Sequence, residues 1–320
     1  MFTRKKRSGI RLLASGAIVL LGGAFSLPAP PDRSDLIRVA KFGSNPGNLN
    51  MFLYIPPRSF RRPAPLIVAL HGCLGSASRY SLAGWNRLAR KRKFYVLYPE
   101  QKKENHPGLC FNHFLPGEPE KGLGEQLSIL EMIARTRRKY RVDPRRIFIT
   151  GFSSGGQMAG ILAATHPRLF AAVSIIGAGS FRCEPGHYGI RGFLLCDPKT
   201  GKPLPTRVGG GPYPRMSVWH GEDDKNVPLE KAEEAVDQWV RAHRLRPEKI
   251  QSRDLPGGGA YRAYPSGKRI MVESVFIAGM AHVVPVHPPA CGSDRDQYYS
   301  GEHGYCYAKS ALRFFFNQGR

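Results

Sequence analysis

The sequence is poor in acidic residues and lacks several kinds of motif, and each absence excludes a class of protein. Its 24 aspartate and glutamate residues face 48 lysine and arginine residues, which gives a formal net charge of +24. The basic residues are spread along the chain without a zinc finger or an aromatic RNA-binding signature, so nucleic acid is not expected as a partner. No pair of cysteines has the Cys-x-x-Cys spacing of structural zinc sites, and no metal is expected.

The remaining composition is that of an ordinary folded protein. Hydrophobic residues make up 42% of the 320 residues, charged residues 22% and aromatic residues 10%. These values argue against a disordered chain, a collagen-like repeat or a polytopic membrane protein. The sequence contains no internal repeat, and a chain of this length can bury a large core within one domain.

The N-terminus has the pattern of an export signal. Residues 4–7 are all basic, and residues 12–27 are mostly apolar and finish in small side chains. This apolar stretch is too short and too interrupted by glycine to predict a membrane span. We therefore predict a signal peptide over residues 1–26, a single domain over residues 27–320, and a secreted protein, either periplasmic or extracellular.

The six cysteines of an exported chain are expected to form disulfides, because oxidising compartments allow these bonds to persist. Sequence alone permits many pairings, and buried free thiols are the alternative. The spacing favours two local loops and one longer one, namely Cys183 with Cys196, Cys291 with Cys306, and Cys73 with Cys110.

Apolar runs alternate with amphipathic segments along most of the chain, which favours a mostly parallel sheet covered by helices on both faces. Strands are predicted at residues 36–40, 49–55, 66–70, 94–98, 146–150, 171–176, 216–220 and 270–277. Helices are predicted at residues 82–92, 122–140, 154–165, 229–243 and 308–316. Pro99 is expected to end a strand and Asp143-Pro144 to restart the chain before the next one. Residues 182–214 are rich in glycine and proline and are predicted to form a lid-like excursion over the sheet.

A candidate nucleophile lies in the segment Gly151-Phe152-Ser153-Ser154-Gly155, which fits the pattern G-x-S-x-G. By itself this pattern is a weak signal. Here a predicted strand precedes it and a predicted helix follows it, which is the setting of the nucleophile turn in α/β-hydrolases. Both glycines are needed because a side chain would crowd the turn that lifts the serine hydroxyl above the sheet. The sequence therefore predicts an α/β-hydrolase fold with Ser153 as nucleophile.

A serine hydroxyl needs a general base, and an acid must orient that base. In this fold the acid and then the histidine follow the serine along the chain. His282 comes after a predicted strand and a Gly-Met-Ala turn and is the predicted base, with His287 as its rival. Three acids follow the strand at 216–220; we choose Asp224, with Asp223 as the main alternative because spacing does not resolve one residue of register.

An ester or amide hydrolase also needs two N–H donors for the oxyanion of its tetrahedral intermediate. The backbone N–H of Ser154 is one candidate. The other is the backbone N–H of Cys73, because His71-Gly72-Cys73 directly follows a buried strand and resembles the oxyanion loop of esterases. The alternative is that His71-Gly72 only turns the chain.

Seven segments together resemble the polyhydroxybutyrate depolymerase family of esterases, which is allied to feruloyl and acetylxylan esterases. They are ALHGC (69–73), GWNRLA (84–89), YPEQ (98–101), CFN (110–112), GFSSGGQMA (151–159), WHGEDD (219–224) and GMAH (279–282). The resemblance extends from about residue 35 to the C-terminus. It implies that Ser153, Asp224 and His282 are the catalytic residues, and that a disulfide joins Cys73 to Cys110.

The resemblance also implies an ester substrate and no cofactor. Candidate substrate-binding residues are His71, Asn112 and His113; the family often has tryptophan where this chain has His113. We expect a secreted serine esterase acting through an acyl-enzyme on polymeric or oligomeric 3-hydroxybutyrate esters. The alternatives are a feruloyl or acetylxylan esterase, a peptidase of the same fold, and a non-catalytic protein whose basic surface binds anionic polymers.

Overall fold

The computed structural model describes residues 35–57, 60, 62–113, 122–180, 212–287, 291, 300–301 and 303–317. The predicted signal peptide and nearly all of the predicted lid-like segment lie outside these residues. Among the helices within them, none combines the length and the hydropathy needed to cross a membrane.

A mixed sheet of ten strands forms the centre of the domain, in the order β1-β2-β4-β3-β5-β6-β7-β10-β9-β8. The strands from β4 to β10 in this order run parallel to their neighbours, and both edges are antiparallel. The strands are β1 (Ile37–Val39), β2 (Asn50–Tyr54), β3 (Ala64–Leu70), β4 (Tyr95–Glu100), β5 (Val142–Phe152), β6 (Ala172–Ile176), β7 (Arg215–Gly221), β8 (Gln251–Asp254), β9 (Gly259–Ser266) and β10 (Arg269–Ile277). A separate short pair joins β11 (Val284–Pro285) to β12 (Ser300–Gly301).

Within the described residues, the α-helices that cover the sheet are α1 (Ala77–Ser81), α2 (Trp85–Arg92), α3 (Gly124–Lys139), α4 (Ser154–Thr165), α5 (Leu229–Ala242) and α6 (Tyr307–Phe316). Buried side chains of α3, α4 and α5 belong to one core cluster, and those of α1, α2 and α6 belong to a second. β3, β6 and β7 are buried along their whole length, as expected of parallel strands with helices on both faces. The predicted α/β architecture is confirmed.

Three predicted boundaries were wrong, each for a local reason. The helix predicted at 82–92 begins only at Trp85, as α2, after Gly84 with its φ of +96°, and the separate helix α1 ends before it, at Ser81. β4 continues through Pro99, which pairs with the antiparallel strand β2. The pairing of β4 with β3 ends at Leu97, so a proline at position 99 removes no N–H group from the hydrogen bonds between β3 and β4. β5 begins at Val142 and includes Asp143-Pro144, which lies within an irregularity of its pairing with β3.

A cluster of buried hydroxyls joins α6 to the centre of the sheet. The Tyr307 hydroxyl donates to Ser174 Oγ at 3.0 Å and lies 2.8 Å from Thr150 Oγ1. All three side chains are buried. Because buried polar groups are costly when unpaired, this cluster fixes where α6 packs against β5 and β6.

We predict that Tyr307→Phe lowers the free energy of unfolding by about 1–3 kcal/mol, because it leaves the hydroxyls of Ser174 and Thr150 buried without their partner. Chemical denaturation measures this change. Tyr305→Phe is the control, since the Tyr305 hydroxyl donates to the Pro256 carbonyl at an exposed position. An equal loss in the two variants would contradict the stabilising role of the buried cluster.

Candidate active site

Ser153 lies in the tight turn between β5 and α4. Its φ is +53° and its ψ is −122°, a conformation that is rare for a residue with a side chain. The turn allows no side chain at its two glycines: a Cβ at Gly151 would enter the backbone of Gly155, and one at Gly155 would meet the backbone carbonyls at the end of β3. The structure thus gives the physical reason for both glycines of the motif.

His282 and Asp224 form a short hydrogen bond, with 2.6 Å between His282 Nδ1 and Asp224 Oδ2. The other carboxylate oxygen of Asp224 accepts from the backbone N–H groups of Asn226 and Val227, each at 2.8 Å. Asp224 is buried, whereas the alternative Asp223 is exposed. The structure therefore brings Asp224 to the predicted base.

The surroundings of Asp224 keep its carboxylate charged. Burial acts to raise the pKa of Asp224, but the hydrogen bond and charge of His282, with the Val227 N–H, outweigh burial and hold the pKa below its ordinary value. A carboxylate at this position fixes the proton of His282 on Nδ1. Nε2 is then left as the atom that can accept a proton.

The ring of His282 packs beside the nucleophile turn. Its centroid lies 4.8 Å from that of Phe152, the residue before Ser153. A Cβ at Gly177 would lie 3.1 Å from His282 Cε1, so the ring and the end of β6 are in close contact. The backbone N–H of the rival His287 donates to the Tyr305 carbonyl at 2.9 Å, whereas the histidine paired with the Asp224 carboxylate is His282.

The predicted oxyanion loop, His71-Gly72-Cys73, follows β3 and approaches the same turn. A Cβ at Gly72 would lie 3.1 Å from the Cβ of Ser153. The Cys73–Cys110 disulfide is present, as predicted, and the Leu74 N–H donates to the Gly108 carbonyl at 2.7 Å. Both links attach the loop to the segment after β4.

The other predicted disulfides fall in two groups. Cys291–Cys306 is formed, which confirms that pairing. Cys183 and Cys196 lie outside the described residues.

Among the residues that the structure does describe, no three potential ligands from histidine, cysteine, aspartate and glutamate are grouped as a metal site would require.

His71 was predicted to bind substrate, but both of its ring nitrogens are engaged within the protein. Nε2 accepts from the Gln101 N–H at 3.1 Å, so Nδ1 carries the proton and donates to the Gly72 carbonyl at 2.7 Å. Burial lowers the pKa of His71, which favours this neutral form. The side chain therefore holds the oxyanion loop against the segment after β4, and a role for His71 in substrate binding stays a prediction.

The predicted substrate-binding residues Asn112 and His113 lie on the segment that the disulfide ties to the oxyanion loop. The Asn112 N–H donates to Glu125 at 2.9 Å, while its side-chain Oδ1 is buried without a hydrogen-bond partner among the described residues. His113 is also buried, and burial, with the charge of His106, lowers its pKa to about 3. An acceptor and a neutral imidazole are thus held near the site.

Two supports of the site were not predicted from the sequence. Buried Glu125 accepts from the Gln101 side chain at 2.5 Å as well as from Asn112, so α3 anchors the segment after β4. His220 lies behind the acid, with Nε2 2.9 Å from the Val227 carbonyl and 3.4 Å from Asp224 Oδ2. The YPEQ segment ends in Gln101, the partner of Glu125, and was therefore the sequence feature that pointed to the first support.

Comparison with known proteins decides the family. The family model described as Esterase PHB depolymerase matches residues 49–193. Poly(3-hydroxyalkanoate) depolymerase C of Paucimonas lemoignei is 36% identical over 87% of this chain and 67% of its own length. The chain belongs to the PHB depolymerase family of esterases.

Other relatives of the chain are esterases as well. The probable acetylxylan esterase A of Aspergillus clavatus is 28% identical over 90% of this chain and 94% of its own length. The solved structure of an acetyl xylan esterase from Aspergillus awamori has a TM-score of 0.65 at 25% identity, covering 80% of this chain and 96% of that one. The family confirms the predicted resemblance, the α/β-hydrolase fold and the class of carboxylic ester hydrolases.

We predict that Asp224→Asn lowers kcat for a soluble ester by about a thousandfold or more, because an amide no longer fixes the His282 proton on Nδ1. Asp223→Asn is the matched control and is expected to leave kcat within about threefold, since its side chain is exposed. Steady-state kinetics decides between them. Loss of turnover in the Asp223 variant alone would show that the wrong acid has been assigned.

We also predict that the free energy of unfolding falls as the pH drops from about 6.5 to 5. Burial lowers the pKa values of His71, His113 and His220 below the unfolded value, which is about 6.5. In this window the unfolded chain binds protons that the folded chain excludes, so acid favours unfolding. Urea denaturation at several pH values in this window measures how the free energy of unfolding depends on pH. This dependence should be less steep for His113→Gln than for the wild type, by up to about 1.4 kcal/mol per pH unit. Stability that is level or rises towards pH 5 would contradict the prediction.

Proposed function

We propose that this protein is a secreted serine esterase that cleaves carboxylic esters through an acyl-enzyme, with Ser153 as nucleophile, His282 as base and Asp224 as the orienting acid. The observation that carries the proposal is the 2.6 Å hydrogen bond from His282 to a buried carboxylate, beside a strained serine turn. The Cys73–Cys110 and Cys291–Cys306 disulfides support an oxidising compartment.

The proposed reaction has two stages. His282 Nε2 takes the Ser153 proton as Oγ attacks the ester carbonyl, and the backbone N–H groups of Cys73 and Ser154 hold the oxyanion. The protonated histidine gives its proton to the departing alcohol, which leaves the acyl group on Ser153. Water, activated by the same histidine, then releases the acid. Asp224 stabilises the imidazolium in both stages, which is why its charged form matters.

For the substrate we propose polymeric or oligomeric esters of 3-hydroxyalkanoates, of which 3-hydroxybutyrate is the simplest case. Leu74 directly follows the oxyanion donor Cys73, and its side chain is 58% exposed at a φ of +58°. An apolar side chain presented to water beside a catalytic serine suits the aliphatic surface of a polyester. The relative from Paucimonas lemoignei, named as a poly(3-hydroxyalkanoate) depolymerase, supports this choice over acetylxylan or feruloyl esters.

We predict that the wild type hydrolyses short p-nitrophenyl esters and 3-hydroxybutyrate oligomers, and that Ser153→Ala loses this activity by about a thousandfold or more. Ser154→Ala is the matched control, because it removes the adjacent hydroxyl and keeps the backbone N–H. Methyl ferulate, acetylated xylan and a peptide amide complete the panel of substrates. Preference for one of these would replace the proposed substrate, and an unchanged Ser153 variant would refute the nucleophile. Salt-dependent binding of an anionic polymer without any hydrolysis would favour the non-catalytic alternative.

A further inference from the structure

A pocket with a volume of about 400 Å³ lies on the face of the sheet that α6 covers. Its walls come from β7, the β8–β9 hairpin, β10 and the C-terminal segment that includes α6. None of Ser153, Asp224 and His282 lines it. Arg215, which does, begins the seven-residue strand that Asp224 follows, so the strand places it roughly 20 Å from the catalytic edge.

The floor of this pocket is apolar and aromatic. It is lined by four buried side chains, those of Trp219, Leu255, Val275 and Phe314. The partly exposed rings of Tyr261 and Tyr305 also line it. A concave surface of this size with an apolar, aromatic floor has the properties of small-molecule sites.

The rim of the same pocket is cationic. Arg253, Lys268 and Arg313 are exposed lining residues, and Arg215 lies deeper, with its Nε buried and without a hydrogen-bond partner in the described part of the chain. No ion pair within 4.0 Å involves any of these four residues among the residues described. The rim therefore holds more positive charge than its one carboxylate, Glu273, can balance, and that carboxylate interacts electrostatically with Arg215 and Arg253.

One acid, Glu273, lines the pocket, and its oxygens are already engaged. Ser217 Oγ donates to Oε1 at 2.7 Å, and the Tyr261 hydroxyl donates to Oε2 at 3.2 Å. Burial raises the pKa of Glu273, which opposes its ionisation. Glu273 interacts with Arg215 and Arg253. Lys268 and Arg313, which form no ion pair among the described residues, are available to a separate anion.

We propose that this pocket is a non-catalytic binding site for an amphiphilic carboxylate, whose hydrocarbon part rests on Trp219 and Phe314 and whose carboxylate meets Lys268, Arg313 and Arg253. A carboxylate satisfies exposed cations through charge-assisted hydrogen bonds, and an aliphatic or aromatic body displaces water from the floor. The inference does not depend on which ester the catalytic site cleaves, because none of the proposed catalytic residues takes part in it.

The test uses trans-cinnamate as probe and records the indole N–H resonances of the full-length protein. The chain has three tryptophans, and among the residues lining this pocket Trp219 is the single one. We expect the Trp219 resonance, assigned with Trp219→Phe, to shift on titration while those of Trp85 and Trp239 stay in place. An unmoved Trp219 resonance would overturn the proposal even if the protein is a fully active esterase.

Calorimetric titration then tests the rim. Lys268→Gln with Arg313→Gln should weaken cinnamate binding by about tenfold or more, while Arg137→Gln with Arg138→Gln, an equal change in charge on the opposite helical layer, should leave it within about twofold. Cinnamyl alcohol and acetate, which lack the charge and the hydrocarbon body respectively, should each bind at least about tenfold more weakly. Equal losses in the two double variants, or equal affinity for the alcohol, would contradict recognition of a carboxylate. Ester hydrolysis should be unchanged in both double variants.

Discussion

The backbone of Ser153 occupies a conformation, with φ of +53° and ψ of −122°, that costs a residue with a side chain about 1–3 kcal/mol, and packing on all sides has to maintain it. β5 supplies the rigid entry and α4 the exit. Glycine at 151 and 155 lets the end of β3 press against the start of α4. The same turn places Phe152 under the ring of His282, so one strained residue determines where both the oxyanion loop and the base can lie.

The site also depends on keeping a negative charge on the Asp224 carboxylate, next to His282. Asp224 is held charged by His282 and two backbone N–H groups, while the other buried histidines nearby, His71, His113 and His220, have pKa values lowered by burial and stay neutral. His282 is thus the histidine that makes the short hydrogen bond to this carboxylate. A charged carboxylate beside the base is what a serine hydrolase requires when an imidazolium forms next to the nucleophile.

The chain order of strands, helices and catalytic residues could be predicted because each carries a local signal: apolar runs for β3 and β6, a glycine pattern around Ser153, and turns that follow strands. The β8–β9 hairpin could not, since β8 is exposed along its length and its four residues contain no apolar side chain. The role of His71 depends on Gln101, thirty positions away, and that of Glu125 on the same segment. These roles depend on packing between distant segments. The choice of Asp224 over Asp223 depends in the same way on the contact with His282.

The most direct test of this account is mass spectrometry of the protein after reaction with a fluorophosphonate, which labels an activated serine and mimics the tetrahedral intermediate. We predict one adduct, on the peptide that contains Ser153, formed rapidly by the wild type and far more slowly by His282→Gln. An adduct on another residue, or labelling of Ser153 at the same rate without His282, would contradict the proposed catalytic site.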